Sequence, residues 1–141
     1  MKPLTPYLFF GGDCRDAMNF YQDCFGGSLE IMTYADGPAD ACPDACPGGV
    51  ADKDKIMHAC LTAGDLVLMA SDNPMGPPLA GDAVSISVHC ESVAETERLF
   101  AALGRGGTVK MALADTFWGA HFGMLADRFG FHWMLNCPLE R

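Results

Sequence analysis

Apolar and polar positions divide the chain into short segments bounded by glycine, proline and aspartate. Leu4 to Phe10 is an extended apolar run that ends at Gly11-Gly12. Asp13 then stands at the N-cap of a predicted helix whose apolar stripe passes through Ala17, Phe20, Tyr21 and Cys24 and stops at Gly26-Gly27. Ser28 to Tyr34 alternates as a strand does. The stretch from there to Asp54, rich in Pro, Gly, Ala and Asp, predicts an exposed loop. Lys55 to Thr62 and Leu66 to Ser71 read as a strand pair about the Ala63-Gly64-Asp65 turn, closing a β-α-β-β-β unit.

The second half repeats this order. After an Asn73 to Asp82 linker come a strand from Ala83 to Cys90, a Ser92-capped helix from Val93 to about Leu103, a Gly106-Gly107 stop and three more strands. Gly26-Gly27-Ser28-Leu29 matches Gly106-Gly107-Thr108-Val109 at an offset of 80, as in 106 against 26, and Leu66-Val67-Leu68-Met69 falls opposite Phe131-His132-Trp133-Met134 at 65, as in 131 against 66. A duplicated module is the simplest reading. It makes one domain over residues 1–141: module one at about 1–72, a linker at about 73–82 and module two at about 83–141. Two such halves bury their sheets by combining, which leaves a cleft between them.

Strand side chains alternate between faces, so each strand offers two sets. Val84, Ile86, Val88 and Cys90, then Leu66, Leu68 and Ala70, then Phe131, Trp133, Leu135 and Cys137 are apolar and are expected beneath the helices. The opposite sets mix small polar groups with methionine: Ala83, Ser85, Ser87 and His89; Val67, Met69 and Ser71; His132, Met134 and Asn136. That mixture suits a partly wet, ligand-sized concavity, and it equally suits a half-solvated sheet face; the duplication favours the concavity.

Composition narrows the partners. With 141 residues and half of them hydrophobic, the chain can bury one modest core. Asp and Glu outnumber Lys and Arg by 18 to 9, so the net charge of −9 repels a nucleic-acid backbone or an anionic membrane. No apolar run approaches the roughly 20 residues that span a bilayer. The stretch at the start is also too short for a signal peptide, so the chain reads as soluble and cytoplasmic. Seven cysteines, an odd number scattered through helices and strands, read as reduced, mostly buried thiols. Cys42 and Cys46 could form half of a metal site, but a second half is absent, and Asp40 and Asp44 disfavour a reactive thiolate.

The pattern resembles the vicinal oxygen chelate superfamily, also called the glyoxalase/bleomycin-resistance/dioxygenase fold, and within it the PhnB-like branch. The resembling segments are Phe10-Gly11-Gly12-Asp13 with Ala17-Met18-Asn19-Phe20-Tyr21, Phe25-Gly26-Gly27, Asp54-Lys55-Ile56-Met57-His58-Ala59, Met69-Ala70-Ser71-Asp72 and, most specific, Trp118 to Asn136. The resemblance implies an α+β fold of tandem βαβββ modules forming a cupped mixed sheet, commonly in a homodimer. Some PhnB-like sequences carry a ubiquinone-pathway methyltransferase label. This chain has no glycine-rich nucleotide-binding unit after a strand to support it.

The superfamily's metal-dependent members place one His, Gln or Glu on each of the first, fourth, fifth and eighth strands. The resemblance puts Pro6, Met69, Ala83 and Met134 there, none of them a ligand for hard or borderline divalent metals. One-residue slips offer Tyr7, Leu68 or Ala70, and His132 or Leu135, and no slip supplies four ligands. The expectation is therefore no metal and no cofactor.

The four histidines share no HxH or HxxxH spacing. His58 and His121, taken as equivalent at an offset of 63, are expected to make core or interface hydrogen bonds. His89 and His132 fall on the concave set, where a neutral imidazole could bind a substrate oxygen or exchange a proton. Ser71, Ser85, Ser87 and Asn136 are candidate hydrogen-bonding groups. Trp118 is a candidate flank that also suits packing or a subunit contact. Asp127 reads as a turn residue. The expected function is binding of a small organic molecule in a metal-free cleft; the alternative is a metal-dependent lyase or dioxygenase with ligands displaced onto His58, His89, His121 and His132.

Overall fold

In the computed structural model, described for residues 3–35, 54–73, 76–79 and 81–139, two helices and eight strands follow in duplicated order. They are β1 (Tyr7–Phe10), α1 (Cys14–Phe25), β2 (Ser28–Thr33), β3 (Ile56–Ala63), β4 (Leu66–Asp72), β5 (Ile86–His89), α2 (Val93–Leu103), β6 (Thr108–Asp115), β7 (Ala120–Ala126) and β8 (His132–Pro138). The chain divides into two compact units, Met1–Leu79 and Ala80–Arg141. Each holds one mixed four-stranded sheet, ordered β1-β4-β3-β2 in the first and β5-β8-β7-β6 in the second. In each sheet one pair is parallel, β1 with β4 and β5 with β8, and the rest are antiparallel. This is the α+β architecture expected from the element order. The Cys42 and Cys46 pair and the loop from Gly37 to Asp52 lie outside the described residues.

Register establishes the duplication directly. Tyr7 lies level with Met69 and Ser87 with Met134, which reproduces offsets of 80 and 65. On the next strand in, Cys60 pairs with Met69 and Met124 with Met134, an offset of 64, as in 124 against 60. The repeated Gly-Gly has a steric reason. A Cβ on Gly27 would run into the Thr62 carbonyl oxygen, and one on Gly107 into that of Ala126. Those two carbonyls are themselves 64 apart, so the second glycine of each pair marks the same close approach of chain to sheet.

Two strands start later than the apolar runs suggest. β1 begins after Pro6, whose nitrogen cannot donate to a ladder although its carbonyl accepts from the Met69 N–H at 3.1 Å. β5 begins at Ile86, opposite Trp133, because the residue level with Val84 would be Phe131, which lies in the turn before β8. Val84 is accordingly 76% exposed rather than packed beneath a helix.

The core of the first unit lies between α1 and its sheet. Cys14, Ala17, Met18, Tyr21 and Cys24, spaced to fall on one helix face, are buried against β2, β3 and β4 with Leu8, Phe10, Ala59, Leu61, Leu68 and Ala70. In the second unit Thr96, Leu99 and Leu103 of α2 cover Leu125, Trp133 and Leu135. The two helices start differently. Ser92 caps α2 locally, its Oγ accepting from the Glu95 N–H at 3.1 Å, while Glu95 Oε1 accepts from the Glu91 N–H at 3.2 Å. Asp13 sits at the N-cap of α1, but its side chain makes no cap hydrogen bond. Asp72, at the end of β4, does that work: Oδ1 accepts from Gly12 N at 2.9 Å and Cys14 N at 3.0 Å, and Oδ2 from Ile56 N at 2.9 Å. With the carboxylate already there, Asp13 faces solvent.

Candidate functional site

Each sheet has one face covered by its helix and one face without a helix, and the register assigns side chains to the second. In the second unit two rows cross that face. One runs His89, Asn136, Phe122, Ala114; the other runs Ser87, Met134, Met124, Met111. The first row ends near the turn between β6 and β7, where Trp118 packs edge-on to Phe122 at 5.9 Å between ring centres and Phe117 packs edge-on to Trp118 at 5.1 Å. Trp118 is 56% exposed and Phe117 94%. The turn itself is tied down by Thr116, whose backbone N–H and Oγ1 both donate to the Ala120 carbonyl, at 2.8 and 2.9 Å. Two large aromatic rings are thus held largely in solvent by an ordered backbone.

His132 lies two rows from Asn136 on the same face, about 13 Å along the strand at 3.3 Å per residue. Its Nδ1 is 3.2 Å from the Lys110 ammonium, so Nδ1 is the acceptor and Nε2 carries the ring proton. Ser85 precedes β5 and is half-buried, whereas Ser87 and His89 lie within that strand and are exposed. Of the seven residues picked from sequence, Ser87, His89, Asn136 and Trp118 therefore gather at one end of this face. His132 lies toward the other end, and Ser71 belongs to the first unit, level with Phe9 on β1.

In the first unit the helix-free face carries Tyr7 and Phe9 of β1, Val67, Met69 and Ser71 of β4, His58, Cys60 and Thr62 of β3, and Ser28, Glu30 and Met32 of β2. The Tyr7 hydroxyl is 3.2 Å from His58 Nδ1, and the Tyr7 ring lies 5.1 Å from Phe9 and 5.7 Å from His58. Sequence reading offered Tyr7 only as a slipped metal ligand and passed over Phe9, because an apolar run at a strand start looks like core.

The histidines need one correction. The ladder offset between β3 and β7 is 64, not 63, so the counterpart of His58 is Phe122. A shift of one residue reverses the face of a strand side chain. His58 therefore belongs to the helix-free face, while His121 lies on the helix side of its sheet. His121 is 9% exposed, with Nδ1 2.8 Å from Asp115 Oδ1 across the β6–β7 pair. Its Nε2 has no hydrogen-bond partner among the described residues and faces Glu97 Oε1 of α2 at 3.6 Å. His121 thus has the structural role expected of it. Asp127 has a larger one than a turn residue: Oδ1 accepts from Phe129 N at 2.9 Å and Phe131 N at 3.1 Å, and Oδ2 accepts from the buried Trp133 Nε1 at 2.8 Å.

Tyr7, not Pro6, is level with Met69 in the first unit, and Ser87, not Ala83, is level with Met134 in the second. Taken unit by unit, phenol with thioether and hydroxyl with thioether lack the imidazole and carboxylate donors that hard or borderline ions take. Among the described residues no group of three or more His, Cys, Asp or Glu side chains is placed to hold a metal ion. Two of the buried thiols are held in the unreactive neutral form. Burial first, then the Asp72 carboxyl, pushes Cys14 up to about 12, and burial raises Cys90.

Comparison with known proteins agrees with this architecture. Residues 4–135 match the Glyoxalase/Bleomycin resistance protein/Dioxygenase superfamily. Protein YjdN of Escherichia coli (strain K12) is 34% identical over 139 residues, spanning 95% of this chain and 94% of its own length. The crystal structure of protein PA1353 from Pseudomonas aeruginosa is 46% identical, with a TM-score of 0.81 over 99% of this chain and 100% of its own. The PhnB protein from Bacillus cereus is 26% identical, with a TM-score of 0.74 over 96% of this chain and 99% of its own. Among the described residues no helix is long and apolar enough to cross a membrane.

Proposed function

The chain belongs to the glyoxalase/bleomycin resistance/dioxygenase superfamily, and from that premise we propose that it binds a small organic molecule on the helix-free face of its second sheet without a divalent metal. One observation carries the reading. The face mixes an aromatic wall, Trp118 and Phe122, with a methionine row, Met111, Met124 and Met134, and sets Ser87, His89 and Asn136 among them. A face shaped only by water would be dominated by charged and polar side chains, and one shaped only by packing would be apolar throughout. Half-exposed apolar surface with a few converging hydrogen-bond groups is the usual chemistry of a small-molecule site. The amide of Asn136 supplies two donors and an acceptor, and the methionines adapt to irregular shapes.

The runner-up, a lyase or dioxygenase with ligands displaced onto the histidines, draws no support from the geometry. Within the second unit His121 lies on the opposite face from His89 and His132. The Bacillus PhnB protein lends the fold and the branch. The doubly wound dinucleotide fold is an open, mostly parallel sheet, whereas among the described residues each unit has one parallel pair. The test is mass spectrometry under non-denaturing conditions on dialysed protein. An organic adduct retained by the natural chain and lost from the His89→Ala/Asn136→Ala double variant supports the proposal; equal retention by both rejects it.

A further inference from the structure

We propose that the first unit carries a small-molecule site of its own, in which the Tyr7–His58 pair binds the oxygen of an uncharged aromatic compound. It goes beyond the second-sheet reading and stands on the first unit alone. The hydroxyl and Nδ1 are 3.2 Å apart, and neither side chain makes another hydrogen bond among the described residues. Whichever atom holds the shared proton, the pair keeps one donor and one acceptor to spare. If the phenol donates, His58 Nε2–H is the donor and the Tyr7 oxygen the acceptor; if Nδ1–H donates, the phenol O–H is the donor and Nε2 the acceptor. A phenol or carbonyl oxygen satisfies such a pair. Fold stability does not require the contact. Tyr7 is 39% exposed, and at the surface water serves both groups nearly as well.

The surroundings select the rest of the ligand. The Tyr7 ring lies 5.1 Å from Phe9 at 40° and 5.7 Å from His58 at 36°, while Met32 and Met69 share the face. Phe9 and Met32 are about half exposed, so a flat ring laid there covers aromatic and thioether surface otherwise left in water. An anion is disfavoured on two counts. Of the side chains assigned to this face none is Lys or Arg, Glu30 is one of them, and the whole chain carries −9, so an anion is repelled.

The experiment titrates the full chain with phenol, and in parallel with benzoate, while imidazole nitrogen resonances are followed by long-range proton–nitrogen NMR. The expected result is a saturable shift of the His58 signals with phenol, a much weaker one with benzoate, and binding of phenol about fivefold to tenfold weaker in Tyr7→Phe, the loss of one hydrogen bond. Tyr7→Phe keeps the ring and, being partly exposed, the fold. Three results overturn the site: His58 signals unmoved by about 1 mM phenol, benzoate binding as tightly as phenol, or Tyr7→Phe binding phenol as well as the natural chain.

Discussion

Replacing Asp72 should cost the first unit far more than replacing Asp13, although Asp13 occupies the N-cap position. The Asp72 side chain is 1% exposed and accepts three backbone N–H groups, from Gly12, Cys14 and Ile56, at 2.9 to 3.0 Å. Alanine would leave three donors without a partner, those of Cys14 and Ile56 buried and that of Gly12 nearer water, each buried one worth about 1–3 kcal/mol when left unsatisfied. The terms do not simply add, since water entering the vacated space would serve some of them, so about 3–5 kcal/mol is expected. That is a large part of the roughly 5–15 kcal/mol that holds a domain folded. Asp72→Asn, which keeps an acceptor but turns an amide N–H2 toward at least one donor, should lose about 1–2 kcal/mol. Asp13→Ala removes a side chain with no cap hydrogen bond and should stay within about 0.5 kcal/mol. Urea unfolding followed by far-UV circular dichroism measures all three. Equal losses for Asp13→Ala and Asp72→Ala would refute the assignment of the cap to β4.

Gly107 has an ordinary φ, so Gly107→Ala tests the contact with the Ala126 carbonyl alone and should lose about 2–3 kcal/mol in the same urea assay. Cys14 is a neutral thiol that folding protects. Its contribution is complete below the ordinary value of 9.0 and falls by up to about 1.4 kcal/mol per pH unit between there and about 12, a slope that Cys14→Ala should remove from the alkaline unfolding curve. At pH near 8, iodoacetamide should label half-buried Cys60 in folded protein and spare Cys14 and Cys90, read by peptide mass mapping. Trp118→Ala should leave stability within about 0.5 kcal/mol, because the ring is largely exposed, while weakening retention of any second-sheet ligand about fivefold to tenfold.

What was legible in the sequence was local or periodic. Ser92 announces α2 because its partner, Glu95, is three residues away, and the Gly-Gly pairs announce the entries to β2 and β6 because the second glycine is needed on the spot. The duplication came through because four-residue matches survive at constant offsets. Long-range pairing was not legible. Asp72 caps a helix 58 residues distant in sequence, and its counterpart in the second module at the offset of 65 is Cys137, so the repeat itself gave no hint. The site residues divide the same way. Alternation assigned Ser87, His89, Met134 and Asn136 to one face, but an error of one residue in the offset between β3 and β7 hid His58 beside Tyr7. Strand alternation gives the face of a residue only relative to its neighbours, and the bulge where Thr33 pairs with Ile56 and Met32 with His58 breaks even that.

The central claim is that an organic guest, and not a metal ion, occupies the second sheet's open face. Its most direct test is the mass of the intact chain, purified without chelators and sprayed from a non-denaturing buffer. The expected result is a mass excess that fragments as an organic molecule and disappears with His89→Ala/Asn136→Ala. One divalent ion per chain, surviving dialysis and lost on the same substitutions, would contradict it.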